Sequence, residues 1–201
     1  ETGEVPPRFS LKTDELKRLI DKTRFAISTE ETRYYLNGVY LHAADNDGIP
    51  VLRAVATDGH RLARVETPIP ADAEKIPGII LPRKAVNELR KLIDDTVGDI
   101  LISLSENKIC FSFGGSLLTS KLIDGTFPDY ERVIPSGNNK VLELDGKTFA
   151  QAVDRVSTVS TEKSRAIKLT LTNDTVTLSA TGSESGSATE ELAVSYSAGD
   201  L

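Results

Sequence analysis

The eight residues Ala56-Thr57-Asp58-Gly59-His60-Arg61-Leu62-Ala63 hold the densest group of reactive side chains in the chain, including one of its two histidines. A carboxylate beside an imidazole is a pairing that general acid–base chemistry uses, and Asp124 or Asp129 could complete an acid/base or metal constellation. The supply around that pair is thin. Two histidines, one cysteine, no glycine-rich phosphate loop opening a helix and no nucleophile elbow leave catalysis little to work with. A hydrolase or metal-dependent enzyme built on His60 with Asp58 and Asp124 is therefore the second reading, behind a binding protein, and no metal or cofactor is expected. The plainest account is structural: Asp58-Gly59 between apolar runs is a strong hairpin signal, because strands are otherwise depleted in both residue types.

The elements that must position this turn follow from composition and periodicity. With 201 residues, 39% of them hydrophobic, the chain can bury a substantial core in one or two globular units. Cys110, the only cysteine, forms no internal disulfide and fits a reducing cytoplasm. No apolar run approaches the roughly 20 residues that a membrane span needs, and Glu1-Thr2-Gly3-Glu4 is no signal peptide, so a cytoplasmic protein away from membranes is expected. The absence of methionine, and an alternating stretch over 191–196 that stops just before Leu201, predict an internal piece of a longer protein.

One pattern recurs three times: a short strand, an amphipathic helix, then three strands. The first copy has a strand over 8–11 and a helix opening at Thr13 as N-cap, with Asp14 and Glu15 at the positive end of its dipole. Leu16, Leu19, Ile20, Thr23 and Ile27 share one face, and strands follow over 34–42, 51–57 and 62–66. The second copy has a strand over 79–81, a helix over 83–93 burying Val86, Leu89, Leu92 and Ile93, and a strand in which Ile109, Phe111 and Phe113 alternate with Lys108, Cys110 and Ser112. The third has a strand over 141–144, then a helix from Gly146 burying Phe149, Ala152, Val153 and Val156. A hairpin turns at Asn173-Asp174, and 181–187 reads as a flexible connection. An apolar helix stripe needs an apolar sheet face, so two copies pair into one α+β domain. The expected organisation is a flexible segment 1–7, a complete domain 8–134, a linker 135–139, and half of a further domain over 140–201.

Three segments carry a resemblance: Arg33-Tyr34-Tyr35-Leu36-Asn37-Gly38, Thr57-Asp58-Gly59-His60-Arg61-Leu62, and the run from Ser120 through Lys121-Leu122-Ile123-Asp124-Gly125-Thr126-Phe127-Pro128-Asp129 to Tyr130. In this order and spacing they resemble the bacterial DNA polymerase III β subunit, the sliding clamp family, from about Arg8 to the last residue. The resemblance implies the DNA-clamp processivity fold, with two strand-helix-three-strand units per domain, three domains per subunit and helices on one face of antiparallel sheets. This chain then corresponds to the middle domain and the first half of the third. The family is a non-catalytic processivity factor that closes as a head-to-tail homodimer around duplex DNA. It tethers the replicative polymerase and docks polymerase subunits, clamp loaders and repair polymerases through short linear peptides.

Carried over by motif, the peptide dock takes Leu36, Thr57, Gly59, His60, Arg61 and Leu62 together with Pro128, Arg132 and Val133, its remainder lying at the end of the third domain. Leu36, Leu62, Pro128 and Val133 would supply apolar walls, and Gly59 close backbone approach. Arg61, Arg132 and His60 would supply groups for the polar atoms of an extended peptide. Thr158 and Val159 resemble part of the dimer edge.

The formal net charge of −6 alone argues against a nucleic-acid binder, but its distribution does not. Arg83 and Arg90, like Lys84 and Lys91, stand seven apart on one helix, off its apolar stripe. The first helix places Lys17, Arg18, Lys22 and Arg24 likewise, and Lys163, Arg165 and Lys168 cluster after the third. The expected DNA-facing set is Lys17, Arg18, Arg24, Arg83, Lys84, Arg90 and Lys91, binding phosphates without reading sequence. The resemblance adds Arg33, Tyr34 and Tyr35, the two tyrosines pointing to opposite faces if they lie in a strand.

Overall fold

A computed structural model describes residues 7–160, 166–182 and 186–201. Most of the N-terminal segment, Lys163, Arg165 and part of the 181–187 connection lie outside the described residues. The chain divides into two compact units, Glu1–Tyr130 and Glu131–Leu201.

The first unit runs β1 (Arg8–Lys12), α1 (Thr13–Asp21), β2 (Gly38–Asn46), β3 (Ile49–Thr57), β4 (Leu62–Pro68), then β5 (Ile79–Pro82), α2 (Arg83–Leu92), β6 (Asp99–Leu104), β7 (Lys108–Phe113) and β8 (Ser116–Lys121). These strands form two antiparallel four-stranded sheets, ordered β1-β6-β7-β8 and β4-β3-β2-β5. Each copy therefore gives its first strand to the other: Phe9 stands opposite Ile102, and Tyr40 opposite Ile80. Helices and sheets share one core, with Leu11, Leu16, Leu19, Val86, Leu89, Ile100, Ile109 and Phe111 at its centre. The architecture is α+β, as the pattern predicts.

The exchange reaches into the helix starts. The first helical N–H of α1, on Thr13, donates to Gly98 O just before β6, and that of α2, on Arg83, donates to Asn37 O just before β2, each at 2.9 Å. Each start thus takes an acceptor for its leading N–H from the opposite copy. Thr13 consequently does not cap its own helix. Lys12 occupies the cap position without a side-chain bond, and the Thr13 hydroxyl donates to Gly98 O at 2.8 Å.

Two further expectations change. In α2 the buried stripe is Ala85, Val86, Leu89 and Ile93, and Leu92 is 51% exposed because it sits one step off that stripe. The strand expected over 141–144 reduces to one bridge, Glu143 with Ser195.

The second unit holds α3 (Gly146–Ser157) and a three-stranded antiparallel sheet of β9 (Lys168–Thr172), β10 (Thr175–Gly182) and β11 (Gly186–Ala193), in the order β11-β10-β9. Ala152 and Val156 of α3 pack with Leu171, Val176, Leu178, Ala180 and Tyr196. Among the described residues no helix is long and apolar enough to cross a membrane.

Candidate functional site

Alternation along a strand places neighbours on opposite faces, and β3 is buried on both. Ala54 and Ala56 enter the main core, while Val55 turns the other way into a second cluster with Leu36, Ile80, Phe127 and Tyr130. Leu62, Tyr35, Tyr40 and Ile123 pack against that cluster, and the rings of Tyr40 and Phe127 stack 4.8 Å apart, 6° from parallel. Of the motif residues, Leu36 belongs to this second cluster and Leu62 packs against it.

Leu36 arrives from a closed loop. Ser28 N donates to Leu36 O at 3.1 Å, Leu36 N to Arg33 O at 2.9 Å, and the Asn37 side-chain amide to Glu30 O at 3.0 Å. These bonds wind Tyr34–Leu36 into a 3-10 turn where the sequence suggests strand, and β2 begins only at Gly38, where a Cβ would collide with the Leu81 carbonyl. Tyr34 is exposed and Tyr35 half-buried, their rings edge to face at 5.8 Å. They differ in exposure, then, but through the 3-10 turn and not through strand alternation.

The turn between β3 and β4 binds itself together. Asp58 Oδ1 accepts from the backbone N–H of both His60 and Arg61 at 3.0 Å, and Asp58 Oδ2 from Arg61 Nε at 2.9 Å. The Thr57 hydroxyl donates to Arg61 O at 2.8 Å and accepts from Gly59 N at 3.1 Å. Gly59 has φ +88°, a conformation that side chains with a Cβ rarely adopt. Burial alone would raise the Asp58 pKa, but the two N–H groups and the Arg61 guanidinium outweigh it and hold the carboxyl below its ordinary value.

This geometry does not form the acid/base arrangement that His60 with Asp58 and Asp124 would need. The Asp58 carboxylate is turned to backbone N–H groups and Arg61, with the His60 ring outside its hydrogen bonds. Asp124 lines a separate hollow of about 560 Å³ with Gly78, Ile79 and Lys121. Among the described residues no group of three or more His, Cys, Asp and Glu side chains stands close enough to hold a metal ion.

Beneath the site lies a charged residue that the motifs do not reveal. Arg53 is 3% exposed and paired with Glu66 at 2.7 Å; its Nη1 donates to the Tyr130 hydroxyl at 2.9 Å. His42 Nδ1 donates to Ala43 O at 2.8 Å, with Nε2 3.0 Å from the same hydroxyl. A buried charge persists only with such partners, so Arg53 pins Tyr130 and with it the end of the first unit. An arginine alternating with Leu52 and Ala54 inside an apolar strand is the one sequence signal that points to it.

Of the motif residues, Leu36, Thr57, Gly59, His60, Arg61, Leu62 and Pro128 belong to the first unit; Leu36 and Thr57 are buried, Leu62 is half-buried and the others are exposed. Arg132 and Val133 belong to the second unit, both exposed. Thr158 is exposed at the end of α3, its hydroxyl donating to Arg155 O at 2.8 Å, and Val159 packs partly on the core of its own unit.

The basic side chains divide. Arg90 is held by Asp21 at 2.9 Å and by Asp94 at 2.8 Å, joining α1 to α2. These two carboxylates raise its pKa above the ordinary arginine value. Lys91 pairs with Glu88 at 3.1 Å, Arg24 with Asp21 at 3.4 Å, and Lys17 and Arg18 donate to the carbonyls of Asp94 and Glu66 at 2.6 and 2.8 Å. Arg83 and Lys84 are exposed and have no such partner among the described residues.

A repeated strand-helix-three-strand unit, paired by strand exchange and carrying this turn, defines a clamp-type fold. Two family profiles match the chain in series: DNA polymerase III beta subunit, central domain, over residues 10–129, and DNA polymerase III beta subunit, C-terminal domain, over residues 131–201. The chain belongs to the DNA polymerase III beta subunit family. It is 54% identical over 189 residues to the Beta sliding clamp of Caulobacter vibrioides, covering 94% of this chain and 51% of that protein. It is 36% identical over 195 residues to the Beta sliding clamp of Escherichia coli, covering 96% of this chain and 51% of that protein. The crystal structure of the sliding clamp (DNA polymerase III subunit beta) from Bartonella birtlesii bound to griselimycin matches with a TM-score of 0.92 and 51% identity, covering all of this chain and 54% of that one. The chain thus spans about half the length of these relatives.

Proposed function

We propose that the chain is part of a sliding clamp which, as a full-length homodimer, encircles duplex DNA and tethers the replicative polymerase for processive synthesis in the bacterial cytoplasm. It takes no part in the chemistry and needs no cofactor. Polymerase subunits, clamp loaders and repair polymerases dock on it through short extended peptides, received by Leu36, Thr57, Gly59, His60, Arg61, Leu62 and Pro128. Arg132 and Val133 are added to that dock on the family resemblance alone, as Thr158 and Val159 are to the dimer edge. The observation that carries the reading is the half-buried Leu62 and the buried Leu36 sharing the Val55–Ile80–Phe127 cluster, next to a turn in which the Thr57 hydroxyl and the Asp58 carboxylate are already hydrogen-bonded. Such a surface offers apolar contact without chemistry of its own.

The DNA-facing surface is proposed for Lys17, Arg18, Arg24, Arg83, Lys84, Arg90 and Lys91, with Arg33, Tyr34 and Tyr35 beside them. The absence of a carboxylate partner for Arg83 and Lys84 among the described residues supports these two most strongly, since a phosphate need displace nothing to reach them.

The dock is tested by titrating griselimycin, the ligand in the Bartonella structure, against the full-length clamp carrying this sequence. Leu62→Ala is expected to weaken binding by roughly 1–3 kcal/mol, as truncating a pocket anchor does. Unchanged affinity in that titration overturns the dock.

A further inference from the structure

We propose that Arg33 is the positioning residue that joins the two sides of the dock, with Glu30 aiming it; the proposal rests on the dock reading above. The side-chain bonds of Thr57, Asp58 and Arg61 close inside their own turn. Among the described residues, the side-chain hydrogen bond that reaches this turn from another element comes from Arg33, whose Nη2 donates to Asp58 O at 3.2 Å.

Arg33 is itself held as a fork. Its Nε donates to Glu30 Oε2 at 2.9 Å, and its Nη2 stands 2.8 Å from Glu30 Oε1. A bidentate carboxylate fixes the guanidinium plane, so the bond to Asp58 O has a set direction. The pairing holds the Glu30 carboxyl below its ordinary pKa and raises Arg33 above its own, so the fork stays charged at neutral pH.

Gly59 makes room for the approach. A Cβ there would lie 2.6 Å from Arg33 Nη1, so the guanidinium lies over a position that only glycine leaves open. At its other end Arg33 belongs to the loop that delivers Leu36, whose N–H donates to Arg33 O at 2.9 Å. One residue therefore ties the Leu36 loop to the Leu62 turn. Glu30 also offsets the charge of Arg33, which makes it a weaker phosphate ligand than Arg83.

The test uses the full-length clamp carrying this sequence, griselimycin as probe, and amide hydrogen exchange of Gly59, His60 and Arg61 without ligand. Arg33→Gln is expected to weaken griselimycin roughly fivefold, the scale of one lost hydrogen bond, and to speed exchange in the turn while leaving the β7 amides unchanged. Arg33→Lys does not rescue, because an ammonium cannot hold the Glu30 fork and the Asp58 carbonyl together. Glu30→Gln weakens binding less, and the two substitutions combined fall short of additive. The positioning role is overturned if Arg33→Gln stays within about twofold of the parent. It is overturned equally by lost affinity with unchanged turn exchange, which marks direct contact, or by strict additivity. Loss with Leu62→Ala and none with Arg33→Gln defeats this proposal alone; no loss with Leu62→Ala defeats the dock itself.

Discussion

The helices of the two units begin in opposite ways. In the first unit α1 and α2 start without a side-chain cap, and their leading N–H groups donate to Gly98 O and Asn37 O of the opposite copy. In the second unit α3 caps itself: Asp145 Oδ1 accepts from Thr148 N at 2.8 Å and from the Thr148 hydroxyl at 2.6 Å. Unpaired N–H groups at a helix start need an acceptor from somewhere, and this chain uses both sources. Where a tertiary carbonyl stands at the helix start, the sequence is free of capping residues. The helix then depends on its partner copy for its first turn as well as its packing.

The comparison sets out what should break. The largest effect is expected at the shared core: Phe111→Ala should cost roughly 3–5 kcal/mol. Because both copies line that core, hydrogen exchange should accelerate in β2 as much as in β6; acceleration confined to one sheet would show that the copies are independent. Next comes Thr13→Val, which keeps the shape and removes the hydroxyl bond to Gly98 O, at about 1 kcal/mol by urea unfolding. If Thr13 instead acted as an ordinary cap, the same change would leave the 98–99 amides unaffected.

The smallest effect is expected from Asp145→Ala, a few degrees in the melting of the second unit with the first unmoved. Its pH dependence has a definite sign. The bonds from Thr148, side chain first and backbone second, lower the Asp145 pKa below its ordinary 3.8. A lowered pKa stabilises the fold above the unfolded value, and that contribution is lost as pH falls through the native one. The cap should therefore hold at neutral pH and fail only in acid, a change that circular dichroism of the wild type and of Asp145→Ala would show by converging at low pH.

Local periodicity carried most of the elements. Leu16, Leu19 and Ile20 repeat with helical spacing because one stripe of α1 meets the core, and Ile109, Phe111 and Phe113 alternate because β7 buries one face. Partnership between distant segments left no such trace. Nothing in residues 8–12 says that they pair with 99–103, and Tyr34-Tyr35 favours strand by propensity while bonds from Ser28, Arg33 and Asn37 wind it otherwise. The turn of the candidate site was legible because its residues are consecutive. Arg53 and the Glu30–Arg33–Asp58 chain were not, since their meaning lies in contacts across 8 to 77 positions for Arg53 and 25 for Arg33 with Asp58.

The strand exchange also sets an order in time. As the chain leaves the ribosome, β9, β10 and β11 meet their partners within one hairpin after another. β1 has none until the second copy emerges, since Lys12 pairs with Asp99 and Arg8 with Ser103. Such long-range pairing is slow to form and leaves an unpaired strand exposed meanwhile. The same crossing that makes the first unit one body leaves its opening strand without its sheet partner until residue 99 has been made.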